Sequence, residues 1–277
     1  MRNSDTNPSL LRGIDAKIDE LLLPLECRIG KPPSYKSKSS MMALSKAKKP
    51  PASSIEFFEQ CFESLKENHL NQSTGYQQTQ SNWHLRQEID HKSTKEVALE
   101  RAFLTLGENW FNQLSTSSGL IDPHADKKRA IDLVHECSPG SFDFIELKIG
   151  SDYPLSAAVE ILLYWLIYLF SRERLEELGY DNRSVFKATR VDLKVLAPRE
   201  FYESQAGETI DLSWLESWFN DGVATFTSNL LGRSVATSFA FWRFGDGFVW
   251  EDNLGDSDTI QEFMKREVGE IRRVFED

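Results

Sequence analysis

The chain has 277 residues, 40% of them hydrophobic, which is enough for one large domain or a domain with appendages and for a substantial core. Its net charge of −11 and pI near 5.1 argue against a general nucleic-acid coat protein, because phosphate binding rests on Lys and Arg. They leave room for an acidic metal site beside a local basic groove. Cys27, Cys61 and Cys137 are scattered and form no CxxC spacing. That pattern predicts no zinc and a reducing, cytoplasmic compartment.

In chain order, the polar start lacks the apolar run of a signal peptide. Ile14, Ile18, Leu21 and Leu22 predict a short helix within residues 10–27. Residues 27–54 hold Arg28, Lys31, Lys36, Lys38, Lys46, Lys48 and Lys49 with no acidic residue. This segment reads as a flexible linker, the sharper alternative being a basic arm that follows phosphates. A helix over 55–67 and a polar loop over 68–82 follow. Ser93 or Thr94 caps the next helix, with Glu96 in its first turn and Leu99, Ala102, Phe103, Leu106 and Trp110 along one face. Residues 115–119 end it. Strands are predicted over 130–136 and 142–149, joined by the turn Ser138-Pro139-Gly140-Ser141. A weaker strand fits 120–127. Then come an apolar helix over 155–177, too short in its purest run to span a bilayer, and a strand over 189–196. The order is α-β-β-(β)-α-β. After Pro198 the pattern gives a helix over 212–231, an aromatic hairpin over 235–250 around Gly245-Asp246-Gly247, and a final helix over 259–275. The expected division is an N-terminal helical and basic extension (1–92), a core (93–198) and a C-terminal addition (199–277). No membrane segment is expected.

The polar residues of the hairpin carry the chemistry. Side chains alternate along a strand, so Ile145, Leu147 and Ile149 pack inward while Glu146 and Lys148 project together from the other face. Asp132 joins them only under one condition. An even loop turns it away from Glu146; a five-residue loop over 137–141, or a bulge, brings it opposite. Two opposed carboxylates repel unless a hard cation lies between them, and Mg²⁺ prefers such oxygen ligands. A lone Glu-x-Lys is weak evidence, since such pairs are common on solvated strands, as at Asp192-Leu193-Lys194.

The set Asp132, Glu146-Leu147-Lys148, with an acidic helix before it, resembles the PD-(D/E)XK nuclease superfamily, the restriction-endonuclease-like fold. The resemblance covers roughly residues 93–198. It implies an α/β (α+β) core, a central mixed sheet flanked by helices. It implies a Mg²⁺-dependent nuclease, with Mn²⁺ as substitute, in which Asp132 and Glu146 hold the metal and Lys148 orients or deprotonates the attacking water. The helix of Leu99 to Phe103 makes Glu100 the further acidic ligand, with Glu96 as its rival. Glu160-Ile161-Leu162-Leu163-Tyr164 stands where many members carry Gln-x-x-x-Tyr, giving Glu160 and Tyr164 an orienting role. Ile131 stands where the family name has Pro. The implied partner is nucleic acid, DNA first, and homodimers are common among relatives. The alternative is a non-catalytic nucleic-acid-binding or protein-interaction module on the same fold.

His84, His91, His124 and His135 form no cluster by spacing, and His135 faces away from Asp132. Trp242, Phe244, Phe248 and Trp250 read as packing rather than base-stacking residues.

Overall fold

A computed structural model describes residues 8–24, 34–73, 81–88, 94–122, 124–150, 152–204, 206–251 and 255–275. His91, Cys27, Arg28 and Lys31 lie outside these. Six strands build the centre: β1 (Trp110–Ser115), β2 (Ala130–Ser138), β3 (Ser141–Leu147), β4 (Arg190–Ala197), β5 (Ala236–Arg243) and β6 (Arg272–Arg273). They lie in that order in one mixed sheet. The pairs β1–β2, β2–β3 and β5–β6 are antiparallel, whereas β3–β4 and β4–β5 are parallel. Parallel neighbours need a crossover, and helices supply both.

The helices are α1 (Ile14–Leu22), α2 (Lys38–Ala47), α3 (Ser54–Gln72), α4 (Lys95–Leu104), α5 (Pro154–Arg172), α6 (Leu175–Leu178), α7 (Ser213–Leu231) and α8 (Ser257–Gly269). α5 and α7 cover one face of the sheet, and α3 packs across them, with Phe58 edge-on to Trp165. Leu22, Phe62, Phe144, Trp165, Val195 and Phe219 belong to this one apolar cluster. A smaller cluster on the other face joins Leu99 and Phe103 of α4, Leu133, Ile145, Leu147, Phe244 and Met264 of α8. The sheet is therefore flanked on both faces by helices. The run α4-β1-β2-β3-α5-α6-β4 fills the expected α-β-β-(β)-α-β order, and β4 pairs with β5 along its length.

Several elements differ from expectation. α4 stops at Leu104, and Trp110 opens β1, where buried and half-buried residues alternate. Leu106 and Trp110 fit a helical stripe, but over so few residues period 2 fits as well. That strand replaces the one expected over 120–127, where Leu120 and Ile121 are buried in a turn. Residues 235–250 form no hairpin. β5 runs parallel to β4, and Gly245-Asp246-Gly247 only turns the chain so that Phe248 stacks on Phe244 at 3.8 Å. Phe239, Ala240 and Phe241 are all buried, as a strand covered on both faces requires. The segment 27–54 is not all linker, since Ser37 caps α2 through Ser40 N–H. α3 extends to Gln72. The apolar helix breaks into α5 and α6, the latter closed by Gly179 at φ 70°. The last helix ends at Gly269 and gives way to β6. α5 has 19 residues, long and apolar enough to cross a membrane, but 89% of its most apolar window is buried inside the protein.

Candidate active site

The β2–β3 turn decides where the polar residues go. Leu133 pairs with Ile145, Val134 with Phe144, His135 with Asp143 and Glu136 with Phe142, but Ser138 pairs with Ser141. The register slips by one between Glu136 and Ser138, so Cys137 is the extra residue of a bulge. Pro139 and Gly140 close a two-residue turn, with Gly140 at φ 77°. Of the two solutions open to the sequence, the chain uses the bulge. Continuing the same register sets Asp132 opposite Glu146 on the face toward α5.

Their surroundings are specific. An Asp132 carboxylate oxygen accepts Leu147 N–H at 2.9 Å. Glu146 is 1% exposed; its Oε1 lies 2.6 Å from Lys148 Nζ, and its buried Oε2 has no hydrogen-bond partner among the described residues. Lys148 also faces Glu160 at 3.4 Å and Asp152 at 3.7 Å. Glu160 and Tyr164 stand one turn apart on α5, and the Tyr164 hydroxyl donates to Glu160 at 3.1 Å. Glu160 is half-exposed rather than a core group. From the other side, Thr94 caps α4 through Val97 N–H, and that helix aims Glu96 and Glu100 at the hairpin end. Glu100 is buried and accepts from Gln113 Nε2 at 2.8 Å; Glu96 accepts Ile149 N–H at 3.2 Å. Gln113 reaches Glu100 from a left-handed backbone, φ 51°, where β1 skips its pairing with Asp132. Such conformations cost about 1–3 kcal/mol and concentrate at functional sites.

Lys148 thus stands amid Asp132, Glu146, Asp152 and Glu160. Burial, then the Asp132 charge, pushes Glu100 up to about 8. Burial pushes Asp132 up to about 6, although Lys148 and Leu147 N–H hold it down. Glu146 is raised by burial, then by Asp132 and Glu160. Burial pulls the Lys148 ammonium down, but Glu146, Glu160 and Asp132 outweigh it and hold the pKa above the ordinary lysine value. Its carboxylate neighbours therefore hold Lys148 in the charged form.

By ligand type, not by present spacing, the donor set suits a hard divalent cation: among the described residues, Asp132, Glu146 and Glu100 do not bring three oxygens within 4.8 Å of one another. Asp132, Glu146 and Glu100 offer only oxygens, and an unpartnered carboxylate oxygen this deeply buried is costly as it stands. A cation would satisfy Glu146 Oε2 and offset the burial and like charge that raise these carboxyls. Glu96 and Glu100 both converge on the hairpin. Gln113 was not legible in the sequence, because its segment reads as helix end. Asp152 had a weak signal, lying four residues after Lys148.

No protein-family model, curated protein or solved structure matches this chain. The inference of function therefore rests on the arrangement of these side chains.

Proposed function

We propose that the chain is a metal-dependent nuclease on a restriction-endonuclease-like core of the PD-(D/E)XK type, hydrolysing phosphodiester bonds of nucleic acid, DNA first. The observation that carries it is the bulge at Cys137, which sets Asp132 against Glu146 and leaves Glu146 Oε2 buried and unpaired beside Lys148. Asp132, Glu146 and Glu100 would hold Mg²⁺ or Mn²⁺. When bound, the ion supplies Lewis-acid polarisation of a phosphate oxygen and a lowered pKa for water. Lys148 would present its ammonium to the phosphate and stabilise the charge that builds there. Glu160, bound to Lys148 and to the Tyr164 hydroxyl, keeps that ammonium in place. Hydrolysis consumes one water, breaks one P–O bond and leaves a phosphate monoester and a hydroxyl.

A second reading, a non-catalytic module on the same fold, is favoured by one observation. The site gathers several carboxylates around Lys148, a field that repels phosphate unless metal is bound. The deciding experiment is cleavage of a mixed DNA and RNA panel with Mg²⁺, Mn²⁺ or EDTA, comparing wild type with Asp132→Ala and Lys148→Ala. Metal-dependent cleavage lost in both variants supports the nuclease. No cleavage, with no calorimetric Mn²⁺ binding by the wild type, sinks it.

A further inference from the structure

The hairpin that carries Asp132 and Glu146 on one face gathers a different set of donor atoms on the other. His135 and Cys137 are two residues apart on β2 and point the same way, and Asp143 faces His135 across the ladder. One donor atom from each, a His135 ring nitrogen, Cys137 Sγ and an Asp143 carboxylate oxygen, lies within 4.8 Å of the other two. Cys137 Sγ is 3.4 Å from His135 Nδ1, which is 3.7 Å from Asp143 Oδ2. A tetrahedral ion bonded at about 2.0–2.3 Å to nitrogen, oxygen and sulfur separates its ligands by about 3.3–3.6 Å. Both measured edges already stand near that range.

The surroundings hold these groups in place. Trp110 stacks on the His135 ring at 4.1 Å, with the planes 10° apart. The Asn109 amide lies 3.0 Å from His135 Nε2, where ligating histidines usually find an outer partner. Amide N and O are interchangeable assignments. With Oδ1 turned to the ring, Asn109 accepts Nε2–H and frees the Nδ1 lone pair, giving up its 3.2 Å contact to the Glu136 carbonyl. Cys137 is exposed, unlike the buried Cys61, and so admits an ion from solvent. A cavity of about 190 Å³, lined by His135, Asp143, Lys194, Trp110 and Trp242, adjoins the cluster and has room for a water ligand. A resident cation already occupies the carboxylate: Lys194 Nζ is 2.6 Å from Asp143 Oδ2. The same ammonium lies 4.6 Å from the Trp242 ring, which can keep it when an ion takes its place.

We propose that His135, Cys137 and Asp143 bind a four-coordinate transition-metal ion, Zn²⁺ by ligand type, with water in the fourth position. A thiolate and an imidazole select Zn²⁺ or Co²⁺ over Mg²⁺. Cysteine spacing gives no sign of such an ion, because the three ligands come from one bulged hairpin and not from a CxxC knuckle. It clamps the bulge at Cys137, and with it the register that sets Asp132 against Glu146. The assignment stands without the nuclease reading.

Co²⁺ titration of the full chain tests it. A thiolate-to-cobalt charge-transfer band, saturating at a single ion per chain and bleached by Zn²⁺, is expected. Cys137→Ser removes the band and Asp132→Ala keeps it. Asn109→Ala, which leaves all three ligands in place, weakens binding by about 10–100-fold. Lys194→Gln, which removes the resident cation, tightens binding. Absence of the band in wild type overturns the site, as does a band that survives Cys137→Ser. No tightening in Lys194→Gln removes Asp143 from the ligand set. Far-ultraviolet circular dichroism of each variant separates lost binding from lost folding.

Discussion

Asp132 and Asp143 stand on one hairpin, eleven residues apart, and burial tends to raise both carboxyls. Asp132 ends up at about 6, whereas Asp143 is held below the ordinary carboxylate range. Partners account for the difference. The His135 ring, 3.7 Å away, and the Lys194 ammonium at 2.6 Å together outweigh burial at Asp143. Asp132 shares Lys148 with Glu146 and Glu160. One face of the hairpin is thus an acidic site short of positive charge. The other is balanced, with a thiol and an imidazole beside the carboxylate. Alternation along a strand is enough to give one element two chemistries, and the first face asks for a hard cation more urgently than the second.

Removing the Lys148 ammonium from the acidic face should have the largest effect. Lys148→Ala is expected to lower kcat for Mg²⁺-dependent cleavage by on the order of 10²–10³, the usual weight of a charge-stabilising donor. Asp192→Asn removes the carboxylate of the other acid-x-Lys pair and should leave cleavage unchanged. Equal losses in the two variants would dissolve the distinction between the faces.

The next effect is on stability without metal. Glu100, with its pKa at about 8, binds a proton when folded that the unfolded chain has released. Stability in EDTA should therefore fall as pH rises from the unfolded carboxyl value near 4.5 through 8, and the loss should be complete above that. The Glu100 contribution is on the order of 4 kcal/mol. Glu100→Gln should flatten the slope of urea midpoints measured between about pH 5 and 9. Mg²⁺ should reverse it, because the metal binds the deprotonated form. A wild-type stability in EDTA that rises over this interval would show that Glu100 is not a protonated buried acid.

The turn couples both faces and gives a smaller, shared effect. Gly140 adopts φ 77°, and an added Cβ would meet nothing closer than 3.6 Å, so the cost of Gly140→Ala is conformational. It should be about 1–2 kcal/mol, read as a lower Tm, with Mn²⁺ and Co²⁺ affinity falling together. Loss at only one face would mean that the register of the other does not depend on the turn.

How much of this could be read from the sequence follows the length of the patterns. α5 and α7 showed themselves by long apolar faces, and β3 and β4 by alternation. Glu146, Lys148, Glu160 and Tyr164 are linked by hydrogen bonds and ion pairs, Asp132 stands opposite Glu146, and Glu100 is near enough to Asp132 to feel its charge; the requirement of a bulge or an odd loop followed from strand parity alone. β1 was illegible because Leu106 and Trp110 satisfy helix and strand periods equally. The place of β5 was illegible because a buried aromatic strand looks the same beside a parallel neighbour as in a hairpin. His135, Cys137 and Asp143 escaped notice for a different reason. Spacing rules sort cysteines against cysteines and histidines against histidines, and this group is assembled by a bulge and a cross-strand pair.

The smallest effect tests where the balanced face ends. Asp192 looks toward the same side of the sheet as Asp143, its register partner on β3. Its oxygens are taken by Arg190 at 2.7 Å and by the Ser238 hydroxyl at 2.6 Å. Arg190 is more than half exposed, at 59%, so its charge is largely screened by water. Arg190→Ala should cost under about 1 kcal/mol, as exposed ion pairs do, and should leave Co²⁺ affinity unaltered. If Co²⁺ binding instead changes severalfold, Asp192 has turned toward Lys194 once Arg190 is gone. The boundary would then move outward: the acid-x-Lys pair of β4 would belong with His135, Cys137 and Asp143 as one electrostatic unit.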